Sequence, residues 1–410
     1  MQTLRICAVI ATVFFAHVVA CAEESIFHNG GTGDCQGCHT SPPQLIGSDA
    51  GSTCLICHQA PVGVTLPSKQ YVASDARRGF LCVQLPQGGD FCWLKKNYTW
   101  SPSGVQGFGQ ENSLGERHGH NIVAQEYGYE PDRTLRYSPG GTYPSFYFSC
   151  ISCHDPHGNY RRLADGTINT AGPPVIASGS YTDSPNPSST AAVGTYRLLA
   201  GKGYQPKSLP GVPVFTADPP AAVAPLITNR AETNSDTRIA YGRGMSEWCQ
   251  NCHPQFSNSH SHPVGMNASL TNEATNTYNN YLYSGNFSGR AETSYTSMVP
   301  FELRTNDYSL LKKIANSDNS VRSGPAGTAN VMCLSCHRAH ASGWDSIMRW
   351  NVRAEFIVYN GVYPGIDKGV PKECSQGRLS LETQKTFYNR PATKYAPYQK
   401  SLCNKCHGKD

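Results

Sequence analysis

The chain has 410 residues, of which 39% are hydrophobic and 15% charged, and its formal net charge is +5. Beyond the N-terminal segment, no apolar stretch approaches the roughly 20 residues that a membrane-spanning helix needs. We therefore expect a mature protein without a transmembrane segment, soluble or assembled on a surface.

The N-terminal segment has the features of a secretory signal peptide over residues 1–22. Arg5 supplies the positive start, an apolar run follows from Ile6, and Ala20-Cys21-Ala22 fits a cleavage site. The run is too short to anchor the chain in a membrane. Its last residues also resemble a bacterial lipobox, so lipidation of Cys21 stays open. We expect export, and a single elongated domain over residues 23–410.

Six Cys-x-x-Cys-His pentads follow the signal segment. Each is a c-type haem attachment signal, because two thiols three residues apart can bond the two vinyl groups of one haem. The histidine that follows then lies beneath the iron as its proximal ligand. The predicted attachment residues are Cys35, Cys38, Cys54, Cys57, Cys150, Cys153, Cys249, Cys252, Cys333, Cys336, Cys403 and Cys406. The predicted proximal ligands are His39, His58, His154, His253, His337 and His407.

Zinc is the main alternative for such cysteine pairs. A zinc ribbon, however, gives no reason for a histidine directly after every second cysteine. A thioredoxin-like redox pair would need a βαβ setting that the sequence does not offer. The pentads therefore predict six haem c cofactors. Six haems add about −12 through their propionates and return about +6 through ferric bis-histidine iron, so the basic charge does not indicate a nucleic-acid partner.

Three cysteines remain in the mature chain. Cys82 and Cys92 are close enough in sequence to form a local disulfide in an oxidising compartment. Cys374 is left over, and we interpret it as a buried free thiol, with an intermolecular bridge as the alternative.

Regular structure is predicted to be sparse. Short helical patterns run over residues 273–284, 307–315, 379–389 and 396–407, and the clearest strand pattern covers residues 356–359. The expected fold is that of a multihaem c-type cytochrome, mostly coil and turns with short α-helices and minimal β structure. Its core would be formed by a chain of stacked haems.

The histidine count bears on the second ligand of each iron. Of 14 histidines, His17 lies in the signal peptide and six are proximal, which leaves seven: His28, His118, His120, His157, His260, His262 and His340. That supply suffices for bis-histidine ligation of all six irons. Such iron has no open position and passes electrons without binding a substrate. The count therefore favours an electron carrier and not an enzyme.

Two pentads continue to a further histidine three residues on, at His157 and His340. Three residues span at most about 10 Å, so neither histidine can reach the far side of the haem attached to its own pentad. If these histidines bind iron, they bind a neighbouring haem. The sequence thus predicts haems packed nearly in contact.

Beyond the pentads, the chain resembles the OmcS-like family of extracellular hexahaem cytochromes, which polymerise into conductive filaments. The resemblance runs from about Phe27 to the C-terminus. The matching stretches are residues 115–124, 139–144, 150–168, 203–209, 241–248, 333–346 and 396–410.

The resemblance implies distal ligands at His28, His120, His157, His262 and His340. One position departs, because Pro42 stands where the family has a histidine that serves a haem of the neighbouring subunit. The sixth distal ligand is then His118 or His260; if neither serves, one haem is open or the subunit junction differs.

The resemblance also implies where the protein works. It indicates secretion to the extracellular space or outer cell surface, end-to-end homopolymers, and exchange of electrons with other multihaem cytochromes or extracellular acceptors such as metal oxides. Two alternatives stay open. One is a nitrite- or hydroxylamine-type oxidoreductase with one open haem, although several such enzymes use a Cys-x-x-Cys-Lys pentad that this chain lacks. The other is a soluble periplasmic electron shuttle.

Overall fold

The structure is a computed structural model of the full chain. It describes residues 28, 35–41, 43–61, 71–75, 81–82, 88–101, 109–209, 211–225, 239–258, 262–280, 299–315, 325, 327–387 and 389–407. The predicted signal peptide over residues 1–22, with Cys21, lies outside the described residues, as do Pro42 and His260.

Regular structure comes in short pieces between turns. The α-helices of the described ranges are α1 (Ala50–His58), α2 (Met245–Cys249), α3 (Asn272–Asn280), α4 (Tyr308–Ala315), α5 (Cys333–Cys336), α6 (Lys372–Ser375) and α7 (Ser380–Thr386). The strands there are β1 (His39–Ser41), β2 (Gln44–Leu45), β3 (Tyr98–Trp100), β4 (Glu111–Ser113), β5 (Arg161–Arg162), β6 (Ile168–Asn169), β7 (Val193–Gly194), β8 (Ala222–Val223), β9 (Ala240–Tyr241), β10 (Phe356–Val358) and β11 (Gln399–Lys400).

The strands form small antiparallel sheets. Three of them pair in the order β6-β5-β7, and the others form the ribbons β1-β2, β3-β4, β8-β9 and β10-β11. In the described ranges no helix has the length and apolar composition to cross a membrane. The prediction of a fold made mostly of coil and turns, with short helices and minimal β structure, is confirmed.

The individual elements match the sequence patterns unevenly. Helix α4 confirms the pattern over residues 307–315, α7 fills the centre of 379–389, and β10 confirms the strand at 356–359. Helix α3 covers residues 273–280 of the pattern predicted over 273–284. Residues 281–284 lie outside the described ranges.

The helix predicted over residues 396–407 is wrong. In a helix the carbonyl of Pro397 would accept from the amide of Ser401. Here it accepts instead from the amide of Gly361, and the Ser401 amide donates to the carbonyl of Glu355. The chain then forms β11, which pairs with β10, and closes in a 3-10 turn at Leu402–Lys405.

The hydrophobic core is divided into five small clusters of buried side chains. In four of them a pentad cysteine packs against the cluster, for example Cys150 beside the cluster of Trp93 and Cys336 beside that of Trp344. The core is therefore organised around the attachment residues.

The two remaining cysteine predictions are confirmed within the described ranges. Cys82 and Cys92 form a disulfide with their Cα atoms 5.4 Å apart. Cys374 is buried with a free thiol.

Candidate haem-binding site

Each pentad lies on or directly beside a helical turn. Helices α1, α2 and α5 hold the second, fourth and fifth pentads, and 3-10 turns at Cys35–Gly37, Cys150–Ser152 and Leu402–Lys405 hold the other three. In a helical turn, residues three and four apart lie on one face. The amide of the histidine donates to the carbonyl of the first cysteine, at 3.0 Å in the third, fourth, fifth and sixth pentads. Both sulfurs and the imidazole thus face one side.

Five of the six proximal candidates face a second imidazole. A metal–imidazole bond is about 2 Å long, so the ring centroids of two imidazoles on opposite sides of one iron should stand about 6 Å apart. The observed centroid separations are His28–His58 6.4 Å, His39–His157 6.4 Å, His120–His253 6.0 Å, His154–His340 6.5 Å and His262–His407 5.7 Å. These pairs therefore have the spacing that a bis-histidine haem requires.

The pairing crosses between pentads. His157 faces His39 of the first pentad, and not His154 of its own. His340 likewise faces His154 of the third pentad, although it follows His337 in the fifth. This is the arrangement that the short reach of three residues predicts.

Hydrogen bonds orient several of these rings. The Nδ1–H groups of His154, His253 and His337 donate to backbone carbonyls at 2.8, 2.8 and 2.7 Å. Among the distal candidates, the Nδ1–H of His120 donates to the carbonyl of Ala339 at 2.7 Å. Because a carbonyl only accepts, each ring carries its proton on Nδ1 and keeps the Nε2 lone pair for iron.

Burial keeps the interior imidazoles neutral. It lowers the pKa of His28 and of His120 to about 4, with nearby histidines adding to the effect. It lowers the pKa of His340 to about 3, and the pKa values of His154 and His253 fall for the same reason. A neutral imidazole is the form that binds a metal.

Cysteine side chains of successive pentads lie next to one another. The side chains of Cys54 and Cys150, whose sulfurs stand for the thioethers of the haem-loaded protein, lie close enough to interact, as do those of Cys249 and Cys333. Cys153 of the third pentad lies close enough to Cys252 of the fourth to affect it electrostatically. Haems attached at these positions would therefore be near neighbours.

The same relation continues into the sixth pentad, where Cys403 and Cys406 act electrostatically on Cys336. At the other end, the tetrapeptide from His154 to His157 joins the third pentad to the first. All six attachment positions are thus linked into one connected group, in which the third adjoins the first, the second and the fourth.

One continuous cavity of about 1330 Å³ runs along these attachment positions. Cysteines or histidines of the second, third, fourth, fifth and sixth pentads line it. Common small-molecule pockets have volumes of about 300–1,000 Å³. The cavity is larger and shared between pentads, as adjoining haems would require.

The first and sixth attachment positions are more open than the other four. Cys35 of the first pentad and Cys403 of the sixth are the exposed members among the pentad cysteines. The side chain of His157, which faces His39, is 72% exposed. The first and sixth haem positions therefore lie at the surface.

His337 differs from the other proximal candidates. Among the described residues no imidazole faces it in the manner of the five pairs, and the nearby His120 and His253 face each other. Burial lowers the pKa of His337 as it lowers that of His154 and His253. In the described ranges, His337 is therefore the proximal candidate without an opposed imidazole at the spacing of the five pairs.

The two candidates for that position are placed as follows. His118 is completely buried, its Nδ1 lies 2.9 Å from the carbonyl oxygen of Trp93, and its Nε2 lies 2.7 Å from Ser113 Oγ. Both ring nitrogens are thus engaged in hydrogen bonds. His260 lies outside the described residues.

Sequence reasoning missed the residues that orient the proximal rings. Their backbone carbonyls belong to Arg197 for His154, Pro139 for His253 and Ser346 for His337. No sequence motif signals these contacts, because a carbonyl is common to every residue type. The one local signal is Gly140, which follows Pro139 and has φ +67°, because a glycine at that place in the sequence indicates a turn.

The geometry does not suit zinc. A structural zinc site needs four converging ligands. Within the described ranges, no group of three or more His, Cys, Asp or Glu side chains is arranged to hold a metal ion. The donors occur as opposed imidazoles above paired sulfurs, which is the donor set of haem c.

Comparisons with known proteins agree with this geometry. The chain is 46% identical over 417 residues to the C-type cytochrome OmcS of Geobacter sulfurreducens, covering 94% of each protein. It matches the cryo-EM structure of the OmcS nanowires from that organism with a TM-score of 0.84 and 44% identity. It matches a structure of the Outer Membrane Cytochrome S filament with a TM-score of 0.85 and 43% identity. Both matches cover 94% of this chain and 100% of the solved chain.

No protein-family model matches the chain. The high identity over nearly the whole length of both proteins, together with the matching fold, is decisive. The chain belongs to the family of the c-type cytochrome OmcS.

Proposed function

We propose that the protein is an extracellular electron carrier with six covalently attached haem c groups in one closely packed series. The observation that carries this proposal is the set of opposed imidazoles, 5.7 to 6.5 Å apart, above cysteine pairs that adjoin one another. When bound, the haems supply iron that cycles between ferric and ferrous states. The protein supplies attachment, ligands and a shielded path.

The ligand assignment follows the pairs. His39, His58, His154, His253 and His407 are proximal ligands, opposed by His157, His28, His340, His120 and His262 respectively. His337 is the proximal ligand of the haem at Cys333 and Cys336. For its distal side, His118 is the weaker candidate because both of its ring nitrogens are hydrogen-bonded. His260 is the remaining histidine of the mature chain.

The protein is an electron carrier and not an enzyme. Iron with two imidazole ligands offers no position for a substrate, and five of the six positions have that geometry. The nitrite- or hydroxylamine-type oxidoreductase is not favoured by the relationship to OmcS, and neither is the periplasmic shuttle.

The protein polymerises end to end with copies of itself and passes electrons to other multihaem cytochromes or to extracellular acceptors such as metal oxides. Support comes from the two related structures, which are described as nanowires and as a filament. The exposure of the first and last haem positions also fits a junction between subunits. The single elongated domain over residues 23–410, cleavage after residue 22 and lipidation at Cys21 stay predictions.

The test is to purify the full-length secreted product with its haems and to measure three properties. A pyridine haemochrome assay should give six haems per chain, and absorption and EPR spectra should show low-spin iron. Negative-stain microscopy of material sheared from cells should show long unbranched fibres. Only small particles would contradict the filament. Stoichiometric cyanide or nitric oxide binding at one haem per chain would contradict complete bis-histidine ligation and favour an open site.

A further inference from the structure

The turns that hold His154 and His337 have the same unusual backbone. The turns lie at Tyr196–Leu198 and Asp345–Ile347, and each contains two consecutive non-glycine residues with positive φ. The φ values are +48° and +56° at Arg197 and Leu198, and +57° and +58° at Ser346 and Ile347. Such residues are energetically unfavourable and persist only where the surroundings fix them.

The hydrogen bonds of the two turns to their pentads also correspond. The first left-handed residue accepts from the proximal Nδ1–H, at 2.8 Å for His154 and Arg197 and at 2.7 Å for His337 and Ser346. The second left-handed residue accepts from the amide of the residue after the histidine, at 2.9 Å in both turns. Two successive carbonyls of each turn therefore accept hydrogen bonds from the pentad and the residue that follows it.

A third bond closes each turn in the opposite direction. The amide of Ala200 donates to the carbonyl of Cys153 at 3.0 Å, and the amide of Arg349 donates to that of Cys336 at 2.8 Å. Each acceptor is the second cysteine of its pentad. The cysteine, the histidine and the next residue are therefore all tied to one turn.

The correspondence does not follow from sequence. The segments are Tyr-Arg-Leu-Leu-Ala at 196–200 and Asp-Ser-Ile-Met-Arg at 345–349. The carbonyl lies 43 residues after its histidine in one case and nine in the other. Ile347 is β-branched, and a β-branched residue with positive φ is a true outlier. Two unrelated segments adopting the same strained path indicate a shared requirement at the histidine.

The surroundings hold each strained turn in place. The amide of Arg197 donates to Ser180 Oγ at 2.8 Å. The side chain of Asp345 accepts from Ser113 Oγ and lies 3.5 Å from the Arg117 guanidinium. These contacts differ between the turns, so each is fixed by its own neighbours.

We propose that the two turns are one repeated device that fixes the orientation of the proximal imidazoles of His154 and His337 and lowers the redox potential of their irons. A hydrogen bond from Nδ1–H to a carbonyl makes the imidazole a stronger donor, which favours ferric iron. Two left-handed residues without glycine give a rigid acceptor, since glycine would admit many other conformations. Arg197 and Ser346 are positioning residues that act through their backbone.

The inference rests on the proposed ligation of iron by His154 and His337. The test compares Ser346→Pro with Ser346→Gly in the haem-loaded full-length protein. Proline fixes φ near −65° and must move the carbonyl, whereas glycine accepts a φ of +57° without strain. In a spectroelectrochemical titration, S346P should move one sixth of the haem absorbance to higher potential and change one low-spin EPR signal. S346G keeps the left-handed turn accessible, so it should shift that potential far less than S346P and at most broaden the same EPR signal.

The inference is overturned if S346P titrates like the unmodified protein, or if S346G shifts as far as S346P. Arg197→Pro against Arg197→Gly repeats the comparison at His154. If a proline variant fails to load six haems, Ile347→Gly provides a second test, because it permits the left-handed turn but no longer restricts the chain to it. One of the six low-spin EPR signals should then broaden. Six unchanged signals would refute the proposal. An unmodified protein without six low-spin haems would instead contradict the proposed function.

Discussion

The third and fifth pentads share a sequence pattern and a backbone turn, but they differ on the far side of the imidazole. His340 faces His154 at 6.5 Å. Opposite His337 the described residues place no imidazole. The proximal side is built by a pentad and a nearby turn, whereas the distal side depends on where a distant segment of the chain arrives. Ligand supply can therefore change between homologues while attachment and orientation stay the same.

The largest effect that tests this contrast is removal of the imidazole opposite His154. In His340→Leu the iron of that haem loses its sixth ligand, and leucine cannot replace it. One haem of six should become high-spin and bind carbon monoxide when reduced, as measured by magnetic circular dichroism and a carbon monoxide titration.

His118→Gln is the matched control, because His118 is buried but faces no proximal histidine. It should open no haem. The reverse result, an open haem in H118Q and none in H340L, would show that His118 and not His340 is a distal ligand.

The second effect concerns the support of the His337 turn. Arg378 is buried and donates to the carbonyls of Gly343 and Gln376 at 2.6 and 3.0 Å and to Ser113 Oγ at 2.9 Å. Ser113 in turn donates to Asp345. Arg378→Met leaves the carbonyls of Gly343 and Gln376 without this donor in the interior, and we expect a loss of about 3–5 kcal/mol in the free energy of unfolding, measured in urea.

A suitable control is Arg353→Met, which removes an exposed ion pair to Glu111. It should cost less than about 1 kcal/mol. Equal losses in the two variants would show that the buried network does not support the turn.

The third and smallest effect contrasts two buried carboxyl groups beside these pentads. Asp155, next to His154, accepts from the amides of His157 and Asn159 at 3.1 and 2.9 Å. Glu302 lies beside the segment at Pro300 that accepts from Ser335 of the fifth pentad. Burial, and then the charge of Glu247, raise the pKa of Glu302 to about 6. The two carboxyl groups should therefore respond differently to loss of their charge.

A raised pKa means that the folded protein binds this proton more tightly than the unfolded chain. Stability from Glu302 is therefore complete below about pH 4.5 and is lost as the pH rises through about 6. Glu302→Gln should raise the free energy of unfolding at pH 7 by about 2 kcal/mol and flatten its slope over that interval. Asp155→Asn should instead destabilise, because it weakens two charge-assisted hydrogen bonds. A lower free energy of unfolding at pH 7 for E302Q than for the unmodified protein would refute the raised pKa of Glu302.

The sequence predicts the attachment chemistry well because that chemistry is local. Cys150, Cys153 and His154 fall on one helical turn, and the bond from the histidine amide to the first cysteine carbonyl recurs in the fourth, fifth and sixth pentads. The partner of His154 lies at His340, and the reach of three residues showed only that His340 must serve another haem. Which haem it serves depends on long-range packing that no periodicity encodes.

Two failures have the same origin. The segment from Ala396 has apolar spacing like a helix. Its path is nevertheless extended, because β11 pairs with β10 and the carbonyl of Pro397 accepts from the amide of Gly361. The acceptor carbonyls at Arg197 and Ser346 lie in strained turns that local preference disfavours. In both places tertiary contacts override the local signal.

The shared cavity has a consequence for biogenesis. Without haem, the cavity of about 1330 Å³ would expose its apolar lining, including Leu55, Phe91 and Trp248, to water. Domains have total stabilities of only about 5–15 kcal/mol, so the loss of this burial weighs heavily on the folded state. We expect a chain short of haem to be less stable than the loaded protein and to be cut more readily by periplasmic proteases.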